Sequence, residues 1–237
     1  MRNKYLLTIS LSLIAINIFF MQIPPLTVFL YPFMILSTWF HEMGHGICSL
    51  ILGGNFYYLE IFPNGSGIAH LGTPTSLGNI GNALIALSGP LFPPIVGYFF
   101  IVSTKRNNRA RLLLFFTSIC IFVSTIVWVR SAFGFIFLIV FSILIFWIAL
   151  TKMEKLHFIT SQIIGIQAFM SVYLSMGYLF SSTGNVNQSS LLSDTEIIAQ
   201  NLLLPNWFWA IFIILFTVLL LFLALKSLKT KVTQPLQ

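Results

Sequence analysis

Charged side chains are scarce in this sequence of 237 residues: they make up 7% of it, and only five of them are acidic. Hydrophobic residues reach 57%, and the mean hydropathy is +0.95. A soluble domain of this length cannot cover so much apolar surface with so few charges. The composition therefore excludes a soluble protein and predicts a polytopic membrane protein.

Cysteine is also scarce, since Cys48 and Cys120 are the two in the chain. Both fall in apolar segments, which is not the pattern of a disulfide scaffold. Cys48 stands three residues after His45 and could face a metal ion bound there. A small buried helix residue is the alternative that we favour for it.

The excess of positive charge does not point to nucleic acid. The chain carries 12 Lys and Arg against 5 Asp and Glu, but the basic residues cluster in short stretches between apolar runs. That arrangement is typical of membrane topology and of contact with anionic lipid head groups. We therefore expect the lipid bilayer as a partner, and no nucleic acid.

Apolar runs long enough to cross a membrane recur along the chain. We predict an all-α polytopic membrane protein of about six to seven transmembrane helices, with a small β-hairpin after the second helix. The first run is long for a signal peptide and lacks a small-x-small cleavage site, so a retained helix is favoured. Residues 1–237 then form a single integral membrane domain, divided into a first span at 5–23, a second helix at 32–52, a hairpin at 55–71, the remaining spans within 79–225 and a basic tail at 226–237.

Prolines and polar residues interrupt two later regions. Ser88-Gly89-Pro90-Leu91 and Pro93-Pro94 lie inside the third apolar segment, which we expect to be kinked or broken there. Residues 181–206 form the one long polar stretch, and they hold Asp194 and Glu196.

The most informative stretch is His41-Glu42-Met43-Gly44-His45, within the second apolar helix. Two histidines four residues apart share one face of a helix, and neutral imidazoles at this spacing suit Zn²⁺. A glutamate directly after the first histidine can act as a general base on a water molecule at the metal. Given so few His and Glu, such a match arises by chance in about one sequence in a thousand. The motif therefore predicts a metal site with Glu42 as the base.

A catalytic zinc usually has three protein ligands and one open position, so a third ligand is expected. Counting the spans places Glu60, Asp194 and Glu196 on the same membrane face as the end of the second helix, and Glu154 on the opposite face. His70 is an alternative nitrogen ligand, although a histidine at a strand end is more often structural. We favour Asp194 as the ligand; its alternative role is to cap a short helix.

The segment after the motif predicts a β-hairpin, because aromatic and β-branched residues flank an Asn-Gly turn. An open hairpin cannot face lipid, so we expect it at the interface or in a protein-lined cavity. Its free edge could bind an extended peptide by strand addition, with Phe56, Tyr58 and Glu60 as candidate substrate-binding residues. A hairpin that only fills the fold is an equal alternative.

Several of these features together resemble the site-2-protease superfamily of intramembrane zinc metalloproteases (peptidase family M50), and most closely its bacterial M50B-like branch. The resemblance implies one zinc ion per chain, held by His41, His45 and a downstream aspartate, with Glu42 as general base. It is carried by His41-Glu42-Met43-Gly44-His45 in a membrane helix, the hairpin with Gly65-Ser66-Gly67, Ser88-Gly89-Pro90-Leu91, and Ser193-Asp194-Thr195-Glu196 followed by Pro205 and Trp207.

Two features depart from the superfamily's pattern. Asp194 is followed by Thr195 in a polar loop, where the superfamily usually has Asp-Gly within a helix. Phe92-Pro93 stands where an asparagine commonly follows Gly-Pro-Leu. These departures leave both the third ligand and the catalytic activity open.

The leading hypothesis is hydrolysis of transmembrane protein or peptide substrates in a bacterial inner membrane. The alternatives are a catalytically inactive scaffold of the same fold, which binds helices without cutting them, and a transporter. A transporter gives no reason for a glutamate between the two histidines. The basic residues place the metal site toward the outer face, whereas the resemblance implies the cytosolic side, so orientation stays open, as does the oligomeric state.

Overall fold

The computed structural model describes residues 2–72, 77–186 and 189–229, and this part of the chain is mainly helical. Residues 230–237 of the expected basic tail lie outside it. The helices are α1 Arg2–Gln22, α2 Tyr31–Ile51, α3 Gly78–Ser103, α4 Asn107–Trp128, α5 Ala132–Leu150, α6 Glu154–Leu174, α7 Met176–Leu179, α8 Asp194–Asn201 and α9 Asn206–Lys229. The strands are β1 Asn55–Ile61, β2 Gly67–Gly72, β3 Thr183–Val186 and β4 Ser189–Leu192.

The predicted fold class is confirmed. Five helices in the described ranges, α1, α3, α4, α5 and α9, are long and apolar enough to cross a membrane. The other two long helices, α2 and α6, have 21 residues each and are not among these five. Three polar residues of α2, His41, Glu42 and His45, belong to the His-Glu motif, so the candidate site lowers the apolarity of this helix.

Helix α3 forms the centre of the molecule, where it packs against α2, α6, α8 and α9. It is one continuous helix through Pro90, Pro93 and Pro94, so the expected break in this segment is wrong. Neighbouring helices enclose these prolines and hold the helix together, which membrane helices tolerate more readily than isolated ones. Small residues allow close contact: a Cβ added to Gly97 would lie 2.8 Å from the carbonyl oxygen of Gly165 on α6.

Polar side chains inside the bundle pair with one another. Ser10 on α1 donates a hydrogen bond to Gln162 on α6 at 2.5 Å, and Gln162 donates to Thr104 at 2.9 Å. Trp39 on α2 donates its indole N–H to Ser124 on α4 at 3.1 Å. These bonds link α1 and α6 to the end of α3, and α2 to α4.

Two antiparallel hairpins lie between the helices. The first, β1–β2, follows α2 as expected, and its turn contains Gly65 with φ at +86°. The second, β3–β4, lies in the long polar stretch, where no hairpin was predicted; the short helix offered there as an alternative is present as α8. Its strands have only four residues each, too few for a clear alternating pattern.

Candidate metal centre

Helix α2 places His41 and His45 one turn apart on the same face. Their ring centroids are 4.7 Å apart, and their Nε2 atoms are 3.1 Å apart. His45 is buried, whereas the side chain of His41 is about a quarter exposed. The two nitrogen atoms therefore meet at one point, which can be reached from a cavity.

Asp194 meets the two histidines from the far end of the chain. Its Oδ2 atom lies 3.1 Å from Nε2 of His41, and its Oδ1 atom lies 3.3 Å from Nε2 of His45. The expectation that Asp194 stands in a polar loop is wrong, because it is the first residue of α8. The cap of that helix is Ser193, whose hydroxyl accepts a hydrogen bond from the N–H of Glu196 at 3.3 Å.

The three donor atoms have the spacing that a tetrahedral zinc ion requires. Ligands at about 2.0–2.1 Å from zinc and at tetrahedral angles lie about 3.3 Å from one another. The Nε2 atoms of the two histidines are 3.1 Å apart, and each lies 3.1–3.3 Å from an Asp194 carboxylate oxygen, Oδ2 for His41 and Oδ1 for His45. Oδ2 of Asp194 is buried, and the polar atom that faces it is Nε2 of His41. His41, His45 and Asp194 therefore fit a zinc ion by donor type and by geometry.

A main-chain carbonyl of α3 fixes the orientation of His45. Nδ1 of His45 lies 2.7 Å from the carbonyl oxygen of Ile85 and donates to it, so Nε2 is the nitrogen left for a metal. Ser88 donates to the same oxygen at 2.6 Å and to the carbonyl oxygen of Gly44 at 3.0 Å. These contacts tie α3 to the metal-binding face of α2.

Gly89 provides the space for the ring of His45. A Cβ atom added at residue 89 would lie 2.2 Å from both Cε1 and Nε2 of the imidazole. Gly44 makes the matching approach from α2, since its added Cβ would lie 2.7 Å from the carbonyl oxygen of Ser88. Sequence analysis noted Ser88-Gly89-Pro90-Leu91 but missed that its glycine contacts a candidate ligand.

The electrostatics of the centre favour an ionised carboxylate. Burial raises the pKa of Asp194, but the two adjacent imidazoles outweigh it and hold the pKa of this carboxyl group below its ordinary value. A carboxylate that stays ionised in an apolar setting can bind a cation.

Glu42 lies beside these three residues and is 6% exposed. Its carboxylate accepts a hydrogen bond from the main-chain N–H of Ala69 in β2. Gly67 approaches it as well, since a Cβ atom added there would lie 2.9 Å from Cγ of Glu42. The first hairpin therefore packs directly against the candidate base.

The free edge of this hairpin belongs to β2, because β1 is occupied on its other side. The carbonyl of Leu59 accepts a hydrogen bond from the N–H of Arg130, and the N–H of Ile61 donates to Ser131. These groups of β1 point away from β2, so the residues paired with Leu59 and Ile61 direct their own main-chain groups outward. Those residues are Ala69 and Gly67, next to Glu42.

The three candidate substrate-binding residues of β1 lie in different surroundings. The ring of Phe56 is buried and stacks on Trp128, with ring centroids 4.9 Å apart. Tyr58 stacks on His70, and Nε2 of His70 lies 3.2 Å from the carboxylate of Glu60. None of them belongs to the cluster of candidate ligands in the described residues.

The other candidate ligands stand apart from the cluster as well. Glu154 begins α6, and Glu196 lies in the first turn of α8, where it accepts a hydrogen bond from Gln200. Cys48 is partly exposed on α2.

Tyr178 is a site residue that sequence analysis missed. Its hydroxyl oxygen accepts a hydrogen bond from the main-chain N–H of Asp194 at 3.1 Å. Burial raises the pKa of this phenol, and the Asp194 carboxylate raises it further, so the hydroxyl keeps its proton. No local signal marks it, because 16 residues separate it from Asp194.

A family model described as Peptidase M50B-like matches residues 10–224. No curated protein and no solved structure matches the chain. The family match covers most of the chain, including both histidines of the motif, Glu42 and Asp194. The family match and the five long apolar helices of the described ranges identify an integral membrane protein. The chain therefore belongs to the Peptidase M50B-like family of membrane metallopeptidases.

Proposed function

We propose that the protein is an intramembrane endopeptidase that uses one zinc ion per chain to hydrolyse peptide bonds of membrane-embedded substrates. One observation carries the proposal: the Nε2 atoms of His41 and His45 lie 3.1 Å apart and each lies within 3.3 Å of an Asp194 carboxylate oxygen, beside the buried carboxylate of Glu42. In this proposal the first three residues hold the zinc ion and Glu42 is the general base. The membrane is proposed to be a bacterial inner membrane.

Zinc at this centre would polarise the peptide carbonyl and make a water molecule more acidic. Glu42 accepts a proton from the attacking water while the water oxygen bonds to the carbonyl carbon. Glu42 then gives the proton to the amine nitrogen as the carbon–nitrogen bond breaks. The N–H of Ala69 keeps the Glu42 carboxylate in place, and the carbonyl of Ile85 does the same for His45.

The substrate in this proposal is an extended segment that lies along the free edge of β2. A transmembrane helix satisfies its own main-chain groups, so a segment must unwind before its peptide bonds can be reached. The outward-facing main-chain groups of Gly67 and the carbonyl of Ala69 can replace the lost hydrogen bonds by strand addition, while the N–H of Ala69 stays on Glu42. A cleft of about 510 Å³ lies there, bounded by β2, by Leu191 and Leu192 of the second hairpin, and by the metal centre.

The strand proposed to bind substrate is therefore β2, whereas the residues named from the sequence lie on β1. Leu59 and Ile61 already bond to the α4–α5 connection, so β1 has less free main chain than β2. Phe56 is proposed to support the hairpin by packing. Tyr58 and Glu60 are proposed to lie beside the substrate strand without binding its main chain.

The test is a pair of measurements on detergent-purified protein: zinc content and cleavage of fluorescein-labelled β-casein, an unfolded chain that needs no unwinding. Wild-type protein is expected to hold about one zinc per chain and to cleave. Glu42→Gln is expected to keep the zinc and lose cleavage, and Asp194→Asn to lose both.

Glu196→Gln is the matched control, because Glu196 lies on the same short helix two residues from Asp194 and outside the cluster. It is expected to behave as wild type. Zinc-loaded wild-type protein that leaves casein and reconstituted single-span substrates intact contradicts the protease and supports the alternative, an inactive scaffold that binds helices.

A further inference from the structure

Two cavities meet at the metal centre, and three polar side chains line both of them. One cavity runs past Met34 and Ser175, and the other lies between β2 and the second hairpin. Among the described residues, the polar side chains that line both are His41, Glu42 and Tyr178. An extended chain that crosses from one cavity to the other must pass all three.

Two of these three side chains already have a role in the proposed reaction. His41 is a candidate zinc ligand and Glu42 is the candidate base, so neither remains to donate a hydrogen bond to the carbonyl oxygen. Tyr178 is the neutral hydroxyl donor that remains, and hydrolysis of an amide creates negative charge on that oxygen.

The position of Tyr178 is fixed from two sides. Its oxygen accepts the N–H of Asp194 at 3.1 Å, so the hydroxyl lies at the residue that supplies the third donor atom. Its ring lies against Gly184 of β3, where an added Cβ would be 2.4 Å from Cε2 of the tyrosine. A hydroxyl that accepts the amide N–H still has its own proton to donate.

We propose that Tyr178 is a catalytic residue that donates a hydrogen bond to the substrate carbonyl oxygen as this oxygen becomes negatively charged. The inference rests on the proposed function. As the water oxygen bonds to the carbonyl carbon, the π electrons of the carbonyl move to its oxygen. Tyr178 stabilises that charge and keeps its proton. The charge returns to the carbonyl when the carbon–nitrogen bond breaks.

The test is Tyr178→Phe, which keeps the ring against Gly184 and removes only the hydroxyl. We expect kcat for labelled β-casein to fall about 100-fold, the loss typical of one missing oxyanion donor. We expect KM to change by less than about threefold, because the lost interaction is made in the transition state. Zinc content is expected to stay at the wild-type value, and the thermal unfolding midpoint to fall by a few degrees because the N–H of Asp194 loses its acceptor.

A second measurement does not depend on turnover. A phosphinic peptide carries a tetrahedral, negatively charged group in place of the scissile amide, and its affinity is measured by isothermal titration calorimetry. Tyr178→Phe is expected to bind it about 100-fold more weakly than wild type. Tyr173→Phe is the control, because Tyr173 is 45% exposed on α6 and lies outside both cavities.

The outcomes separate this inference from the proposed function. Wild type that holds zinc but neither cleaves casein nor binds the phosphinic peptide contradicts the protease itself. Wild type that cleaves, with an equally active Tyr178→Phe variant, overturns only the role of the hydroxyl. Loss of zinc in Tyr178→Phe also overturns it, because Tyr178 would then position Asp194.

Discussion

Replacing Gly89 by alanine adds one methyl group against a candidate zinc ligand. The new Cβ would lie 2.2 Å from Cε1 and Nε2 of His45, whereas ordinary contacts begin at 3.4 Å. The ring and the α3 backbone must therefore separate by about 1 Å to restore an ordinary contact. The perturbation acts at one atom and leaves all the candidate ligands in the sequence.

His45 cannot move that far and keep its partners. Its Nδ1 lies 2.7 Å from the Ile85 carbonyl oxygen, and its Nε2 lies 3.1 Å from Nε2 of His41. Metal–ligand distances tolerate only about 0.2 Å. Helix α3 cannot easily retreat either, since Ser88 donates a hydrogen bond to the carbonyl oxygen of Gly44 on α2 at 3.0 Å.

The expected effect is a loss of zinc affinity. Overpacking by one methyl group costs about 1–3 kcal/mol, and here that penalty is largest when the ring occupies its metal-binding position. Because 1.4 kcal/mol corresponds to a factor of ten, zinc binding should weaken by about 5- to 150-fold.

The assay is competition for zinc between purified protein and a chromophoric chelator. Gly177→Ala is the control, because a Cβ added there meets no atom within 4 Å. Unchanged zinc affinity in Gly89→Ala, with the wild-type fold, would refute the argument that residue 89 is glycine to make room for the imidazole.

Three further predictions follow from the same contacts. Phe56→Ala removes a buried ring stacked on Trp128 and should lower the free energy of unfolding by about 3–5 kcal/mol in a denaturant titration. Tyr57→Ala is the control and should change this free energy little, because the side chain of Tyr57 is 59% exposed. Ala69→Pro removes the N–H that holds Glu42, so casein cleavage should fall at unchanged zinc content; equal activity would argue against a role for this edge. Removal of zinc by a chelator should lower the free energy of unfolding by about 2.7 kcal/mol relative to protein in free zinc at 100 times the zinc Kd. Thermal unfolding with and without added zinc measures this difference.

The fold class was predictable because its signals are local. Long apolar runs indicate helices without knowledge of their neighbours, and the Asn-Gly turn indicates the first hairpin. The second helix was expected at 32–52 and spans Tyr31–Ile51. The break expected at Pro90, Pro93 and Pro94 was wrong because the packing of α3 against its neighbours maintains a helix that these prolines alone would interrupt.

The site was predictable only in part. The helical spacing of His41 and His45 placed them on one face, and counting spans favoured Asp194 over Glu154. Its ligation remains a prediction, but the structure brings its carboxylate to both histidines. Tyr178 and the free edge of β2 could not be found from sequence, since both depend on contacts between distant segments.

The distribution of acidic residues argues for one functional centre. Burying a carboxylate in an apolar environment is costly unless cations or hydrogen-bond donors compensate for it. Of the five acidic residues, Glu42 and Asp194 are buried, at 6% and 5% exposure, and both lie at the two histidines. Two ionised carboxylates at one buried point repel each other. A divalent cation between His41, His45 and Asp194 would remove that repulsion. The zinc ion is therefore expected to contribute to the stability of this part of the fold as well as to its chemistry, and the glycines at 67 and 89 allow β2 and α3 to approach it closely.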